Sequence, residues 1–230
     1  MEEYQNFARE KLGFEFKNPD LLVTALTHRS YVNEHKKNTE HNERLEFLGD
    51  AVLELVSSDF LYRNYDEPEG IMTALRAALV RTESIGEAGF ALGYAPLVRF
   101  SKGVKQGSER AHEVIMADCF EAVIGAIYLD QGYEKAREFI AKHILSKIDT
   151  ILEEETWRDP KSYVQELAQK LDGITPVYRT LKEDGPDHDK TFTVGIYVGD
   201  SLKGTGTGHS KQEAQTAAAR EAVKKYKSSL

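Results

Sequence analysis

The chain has 230 residues and a formal net charge of −8, with 38 Asp and Glu against 30 Lys and Arg. That length accommodates one sizeable domain or two small ones, and the acidic balance excludes a general basic coat for nucleic acid, although a local patch can hide within it. The single cysteine, Cys119, excludes an intrachain disulfide and fits a reducing compartment.

Met1-Glu2-Glu3-Tyr4-Gln5 is acidic and polar, unlike a secretory leader. The apolar runs are too short and interrupted to span a bilayer, so a cytoplasmic protein without a membrane partner is expected. Amphipathic helices are predicted near Glu3–Leu12 and Pro19–Thr27, the second capped by Asn18 with Pro19 in its first turn. A polar loop, Asn33 to Thr39, leads into a helix carrying Glu43 to Tyr62. Asp66-Glu67-Pro68-Glu69-Gly70 interrupts it, and helices resume at Ile71–Arg81 and Thr82–Leu92. A Gly-containing connector, Ser101 to Ser108, precedes an apolar helix around Val114–Leu129, and one amphipathic helix covers Tyr133–Leu152.

The pattern then changes. A first domain is expected over residues 1–152, a charged linker over 153–158 and a second domain over 159–230. From Asp159 onward there are 11 basic and 10 acidic residues, so nearly all the excess acid lies in the first domain. The second reads as a helix capped by Asp159-Pro160 and running to Leu171, then strands Val177–Leu181, Phe192–Val198 and Ser201–Thr207, then a closing Ala-rich helix from Lys211 to about Tyr226. The fold class is therefore an all-α domain followed by a small α+β module of order α-β-β-β-α, a size able to fold alone.

Two stretches place carboxylates where apolar helices should carry none. Glu43, Glu46 and Asp50 fall at i, i+3 and i+7, on one helical face. Asp118 and Glu121, again three apart, interrupt the Val114–Leu129 segment, which contains no Lys, Arg or His. Carboxylates taken out of water either cost several kcal/mol or shift their pKa until neutral, and crowding adds repulsion. A divalent cation offsets both. The competing reading is a structural ion-pair network, in which Arg44 neutralises one of the first three acids. A carboxylate-bridged di-iron bundle calls for paired Glu-x-x-His motifs on facing helices, but Glu109-Arg110-Ala111-His112 is the single instance here and lies in a polar stretch.

The string Asn42-Glu43-Arg44-Leu45-Glu46-Phe47-Leu48-Gly49-Asp50 matches the signature of the ribonuclease III family. Further matches follow in order: Leu26-Thr27-His28-Arg29-Ser30-Tyr31, Arg76-Ala77-Ala78-Leu79-Val80, and Ala117-Asp118-Cys119-Phe120-Glu121-Ala122-Val123-Ile124-Gly125. The last 70 or so residues resemble a double-stranded-RNA-binding domain, so the resemblance covers essentially the whole chain in the bacterial arrangement. It implies a Mg²⁺-dependent endoribonuclease, with Mn²⁺ able to substitute and no small-molecule cofactor. Such an enzyme hydrolyses phosphodiesters of double-stranded RNA to 5′-phosphate and 3′-hydroxyl ends with short 3′ overhangs, in RNA processing and decay.

By motif position the resemblance makes Glu46, Asp50, Asp118 and Glu121 the metal ligands, with Asp50, Glu121, Glu43 and Glu69 serving catalysis. Phe47 matches a residue that plugs a pocket on the partner of a homodimer, although it reads equally as a core aromatic of its own subunit. RNA contacts are implied for Ser162, Gln165 and Glu166, for His188, and for the turn carrying Gly208, His209, Ser210 and Lys211. Gln212 and Gln215 stand where many relatives carry Lys or Arg, which predicts weaker binding by the isolated module. His28 is expected to be structural. The alternative function is a non-cleaving double-stranded-RNA-binding protein.

Overall fold

The computed structural model describes residues 1–35, 40–186 and 190–228. The expected RNA contact His188 lies outside them. The chain divides into two compact units, Met1–Trp157 and Arg158–Leu230. No described helix is long and apolar enough to cross a membrane.

The first unit is helical. Helices α1 (Glu2–Phe7), α2 (Pro19–Ala25) and α3 (Arg29–His35) precede the long α4 (Glu43–Asn64). Next come α5 (Glu69–Val80), α6 (Thr82–Leu92), the short α7 (Lys102–Lys105) and α8 (Glu109–Gln131), with α9 (Tyr133–His143) and α10 (Ile148–Glu154) closing the unit. Helix α8 is its axle: Ile115, Met116, Phe120, Val123, Ile124 and Ile127 are all buried, and α4, α6, α2 and α9 pack around it. Ser108 caps α8 by accepting from the Ala111 amide, and Gly132, at φ 89°, ends it.

Three features depart from the sequence-based expectation. Helix α3 takes in residues with no expected element and the start of the expected polar loop, Asn33 to His35, while residues 36–39 of that loop lie outside the described residues. Its few apolar residues hide it, but it is fastened from outside: the His28 amide donates to the Arg99 carbonyl at 2.9 Å, and the Ser101 amide to Ser30 Oγ at 3.0 Å. The Lys102 amide also donates to Glu34 Oε2 at 2.9 Å, and the Arg99 guanidinium lies 4.2 Å over the Tyr31 ring. Secondly, the single helix expected over Tyr133–Leu152 breaks at Ile144, where φ is −116°. Ile144, Leu145, Ile148 and Ile151 around and beyond the break are all buried in the core. Thirdly, the segment read as a linker gives Glu153 and Glu154 to α10 and packs Trp157 against the first unit's core.

The second unit has helix α11 (Pro160–Asp172), strands β1 (Val177–Asp184), β2 (Thr191–Val198) and β3 (Ser201–Gly208), and helix α12 (Lys211–Lys227). The sheet is antiparallel in the order β1-β2-β3, with irregularities between Thr180 and Lys182 and between Ile196 and Tyr197. Its core joins Val164, Leu167 and Ala168 of α11 to Ile196 and Val198 of β2 and to Ala218, Ala219, Ala222 and Tyr226 of α12. Gly204 and Gly206 let α12 lie directly on β3, since a Cβ on Gly206 would stand 2.2 Å from the Ala218 nitrogen.

Candidate active site and nucleic-acid interface

The carboxylates of α4 and α8 face one another where two glycines let these helices touch. A Cβ on Gly49 would stand 1.7 Å from the carbonyl oxygen of Glu121, and one on Gly125 would stand 2.2 Å from that of Leu45. Backbone against backbone, the crossing brings Glu46 and Asp50 of α4 opposite Asp118 and Glu121 of α8. Behind them the buried Asn42 turns its amide inward, donating Nδ2 to Cys119 Sγ at 3.7 Å, so its side chain makes no helix cap.

Among the described residues, Glu46, Asp50, Asp118 and Glu121 have no hydrogen-bond or ion-pair partner, and Arg44 pairs with none of them. Burial, with mutual repulsion added, raises the proton affinities of three of them. Burial, followed by the charges of Asp50, Glu46, Asp118 and Glu54, pushes Glu121 up to about 8. Burial, followed by Asp118, Glu43 and Asp50, pushes Glu46 up to about 7. Burial, with Glu43 beside it, raises Asp118. Three partly shielded carboxylates and the exposed Asp50, with no basic partner, form an all-oxygen donor set suited to a hard divalent cation. They are not a closed cage, because no three His, Cys, Asp or Glu side chains among the described residues are gathered tightly enough to hold an ion by themselves. An open array fits an ion that keeps several waters and takes only one or two protein carboxylates plus a substrate phosphate.

Two arginines bracket this array. Arg29 of α3 donates Nη1 to Glu43 Oε1 at 3.1 Å. At the other end Arg76 of α5 pairs Nε with Glu54 Oε2 at 2.9 Å and donates Nη1 to Ser58 Oγ at 2.8 Å. Glu54, which continues the Glu43–Glu46–Asp50 face one turn further, was missed by the sequence reading. Its signal was present at i+4 from Asp50, but only the facing Glu121 distinguishes it from an ordinary surface acid. Glu69 stands apart. It begins α5 and lines a cavity of about 470 Å³ with Leu55, Leu61, Tyr62 and Met72, and it is not among the charges acting on Glu46, Asp118 or Glu121. Phe47 is 80% exposed on α4, so the structure excludes its reading as a core aromatic of its own unit. His28 is half-buried, its Nδ1 2.8 Å from Ser30 Oγ.

In the second unit Ser162, Gln165 and Glu166 share an exposed face of α11. Ser162 donates its amide and hydroxyl to Asp159 Oδ1 at 2.9 and 2.8 Å, and Glu166 is paired with Arg158. At the start of α12, Ser210 Oγ accepts from the Glu213 amide at 3.1 Å while Glu213 Oε2 accepts from the His209 amide at 2.9 Å. Such reciprocal capping uses up donors at a helix end suited to phosphate. Lys161 reaches across from α11 to Gln215 Oε1 at 2.8 Å, which puts a positive charge beside the neutral Gln215.

The raised acids predict a pH dependence. Because their folded-state pKa values exceed the unfolded ones, the folded protein retains protons that the unfolded chain releases, and metal-free stability falls as pH climbs from about 4.5 through about 7 and 8. A divalent cation bound to the ionised set offsets that loss. Mg²⁺ is therefore expected to raise the melting temperature of the first unit more above pH 8 than at about pH 5. Equal shifts at both pH values would contradict the carboxylate array as the binding site.

The comparisons with known proteins agree with this two-part design. The ribonuclease-III-like family matches residues 18–148 and the double-stranded RNA binding motif matches residues 160–226. Ribonuclease 3 of Desulforamulus reducens is 42% identical over 96% of this chain and 91% of that protein. Ribonuclease 3 of Listeria monocytogenes is 43% identical over 94% of this chain and 95% of that protein. Among solved structures, the nuclease domain of ribonuclease III from Campylobacter jejuni, described for flexibility in a region involved in dimer formation, superposes with a TM-score of 0.55 at 37% identity, covering 61% of this chain and 95% of that one. A family match over more than half of the chain, with relatives alike along nearly its whole length, means that the chain belongs to the ribonuclease III family.

Proposed function

We propose that the protein is a Mg²⁺-dependent endoribonuclease, with Mn²⁺ able to substitute, that hydrolyses double-stranded RNA to 5′-phosphate and 3′-hydroxyl ends with short 3′ overhangs. The observation that carries this reading is the unpartnered array of Glu46, Asp50, Asp118 and Glu121 at the α4–α8 crossing. Asp50 and Glu121 are assigned to the reaction centre, with Glu46 and Asp118 completing the metal ligands. Held there, Mg²⁺ would supply an activated water and neutralise charge at the leaving oxygen. The side chains of Glu46, Asp50, Asp118 and Glu121 would hold and orient that chemistry.

A homodimer gives Phe47 and Glu69 their places. The cavity, whose apolar wall is Leu55, Leu61, Tyr62 and Met72 and whose rim includes Ser58, Asp59, Thr73 and Arg76, would seat an exposed aromatic ring. Phe47 lies between Glu46 and Asp50 on α4, so seating it in the second copy's cavity carries its own acid row towards that copy's Glu69. Glu69 would then complete a site across the two-fold axis, and each dimer would hold two such sites, one for each strand of a duplex. Glu43, held by Arg29, borders the same site.

The second unit would present the α11 face and the Gly208–Lys211 turn to an A-form minor groove and its phosphates, so recognition follows shape more than sequence. Localisation in the cytoplasm and roles in RNA processing and decay belong to the same proposal. The test is direct: perfect duplex RNA and its separated strands, each incubated with protein and Mg²⁺. Cutting confined to the duplex, with staggered ends and 5′-phosphates, is expected. A duplex that binds but stays intact would instead favour the non-cleaving alternative.

A further inference from the structure

We infer that Glu183 is an intramolecular competitor for RNA phosphate: its carboxylate occupies Lys211, so the module's phosphate-binding turn is held in a self-neutralised state that limits affinity for duplex RNA. This rests on the reading of the second unit as a duplex-RNA binder and goes beyond it by naming what restrains that binding.

Strand register builds the contact. Glu183 of β1 lies opposite Phe192 of β2, and Phe192 lies opposite Gly208 of β3, so one row across the sheet ends at the turn into α12. The first turn of α12 rests on that row, since a Cβ on Gly208 would stand 2.5 Å from Glu213 Cβ. Lys211, the first residue of α12, is thereby returned over the sheet, with its Nζ 5.5 Å from the centre of the Phe192 ring and 2.9 Å from Glu183 Oε1. Lys190 approaches the same carboxylate from β2's approach, at 3.7 Å. The two ammonium groups, Lys211 foremost, hold Glu183 below the usual carboxylate range.

The competition is between like partners. A phosphate oxygen and a carboxylate oxygen offer Lys211 the same charge-assisted hydrogen bond. The Lys211 side chain is 57% exposed and that of Glu183 39%, so the pair is open to exchange. Exposed pairs of this kind are weak and easily screened. Phosphate can therefore displace Glu183, but its carboxylate, left with only the longer contact to Lys190, then stays beside the RNA backbone.

The experiment measures binding of the full-length protein to a fluorescent duplex of about 20 base pairs, slightly more than one such module spans. Chelator is present, so that cleavage does not intervene, and salt is varied. Glu183→Gln is expected to bind about fivefold more tightly at low salt, with a steeper dependence on salt and a gain that shrinks as salt rises. Glu183→Thr, a second neutral side chain suited to a strand, is expected to do the same. In a Lys211→Ala background the gain disappears. Unchanged or weaker binding by both neutral variants, or a gain equally large without Lys211, overturns the inference. Failure of the wild-type protein to bind duplex RNA at any salt concentration would overturn the underlying reading instead.

Discussion

Replacing Glu121 by Gln is expected to lower the rate of duplex cleavage by about 10³-fold or more while leaving duplex binding within about twofold. A metal-polarised reaction draws several kcal/mol of transition-state stabilisation from its ion, and each 1.4 kcal/mol or so is a factor of ten. Gln keeps the shape of Glu but loses the charge that holds a cation. The same substitution should raise the melting temperature of the metal-free protein above pH 8, because it removes a shielded carboxylate crowded by Asp50, Glu46, Asp118 and Glu54. Opposite signs for activity and stability separate a functional acid from a structural one. A Glu121→Gln protein that cuts normally, or that loses stability and binding together with cutting, would remove Glu121 from the reaction centre.

The acids of the proposed centre stand out in sequence because a carboxylate at i+3 or i+4 within an apolar helix has no cheap explanation. What sequence could not supply was partnership between helices. Glu54 looks like any solvated acid until Glu121 stands opposite, and Asn42 looks like a helix cap until its amide turns to Cys119. Glu69 begins α5 and is not among the charges acting on Glu46, Asp118 or Glu121; in the proposed dimer a second copy would bring it to them. Helix α3 escaped notice because tethers from the Arg99–Lys102 segment, rather than its own periodicity, hold it. In the second unit, alternation revealed the strands, whereas the row joining Glu183, Phe192 and Gly208 depends on register, which bulges shift by a residue at a time.

Gly49 shows how much of the site rests on a missing methyl group. Its Cβ position lies 1.7 Å from the Glu121 carbonyl oxygen, 2.6 Å from the carbonyl carbon and 2.9 Å from the Gly125 nitrogen, all of them backbone atoms that cannot rotate aside. Gly49→Ala must therefore part α4 from α8 and, with them, Glu46 and Asp50 from Asp118 and Glu121. Overpacking a core usually costs about 1–3 kcal/mol, and a clash with backbone should reach or exceed the upper end of that range. In a domain of this size the melting temperature should fall by about 6–12 °C. Cleavage should fall further than stability explains, since misplacing reacting groups by about 1 Å can cost about 10²-fold. Gly70→Ala is the matched control: Gly70 also lies near a helix start, but nothing stands within 4 Å of its Cβ position, so that substitution should leave stability and cutting nearly unchanged. If Gly49→Ala instead matched wild type in both, the backbone contact would not be what sets the distance between the two carboxylate pairs, and the metal array would need another origin.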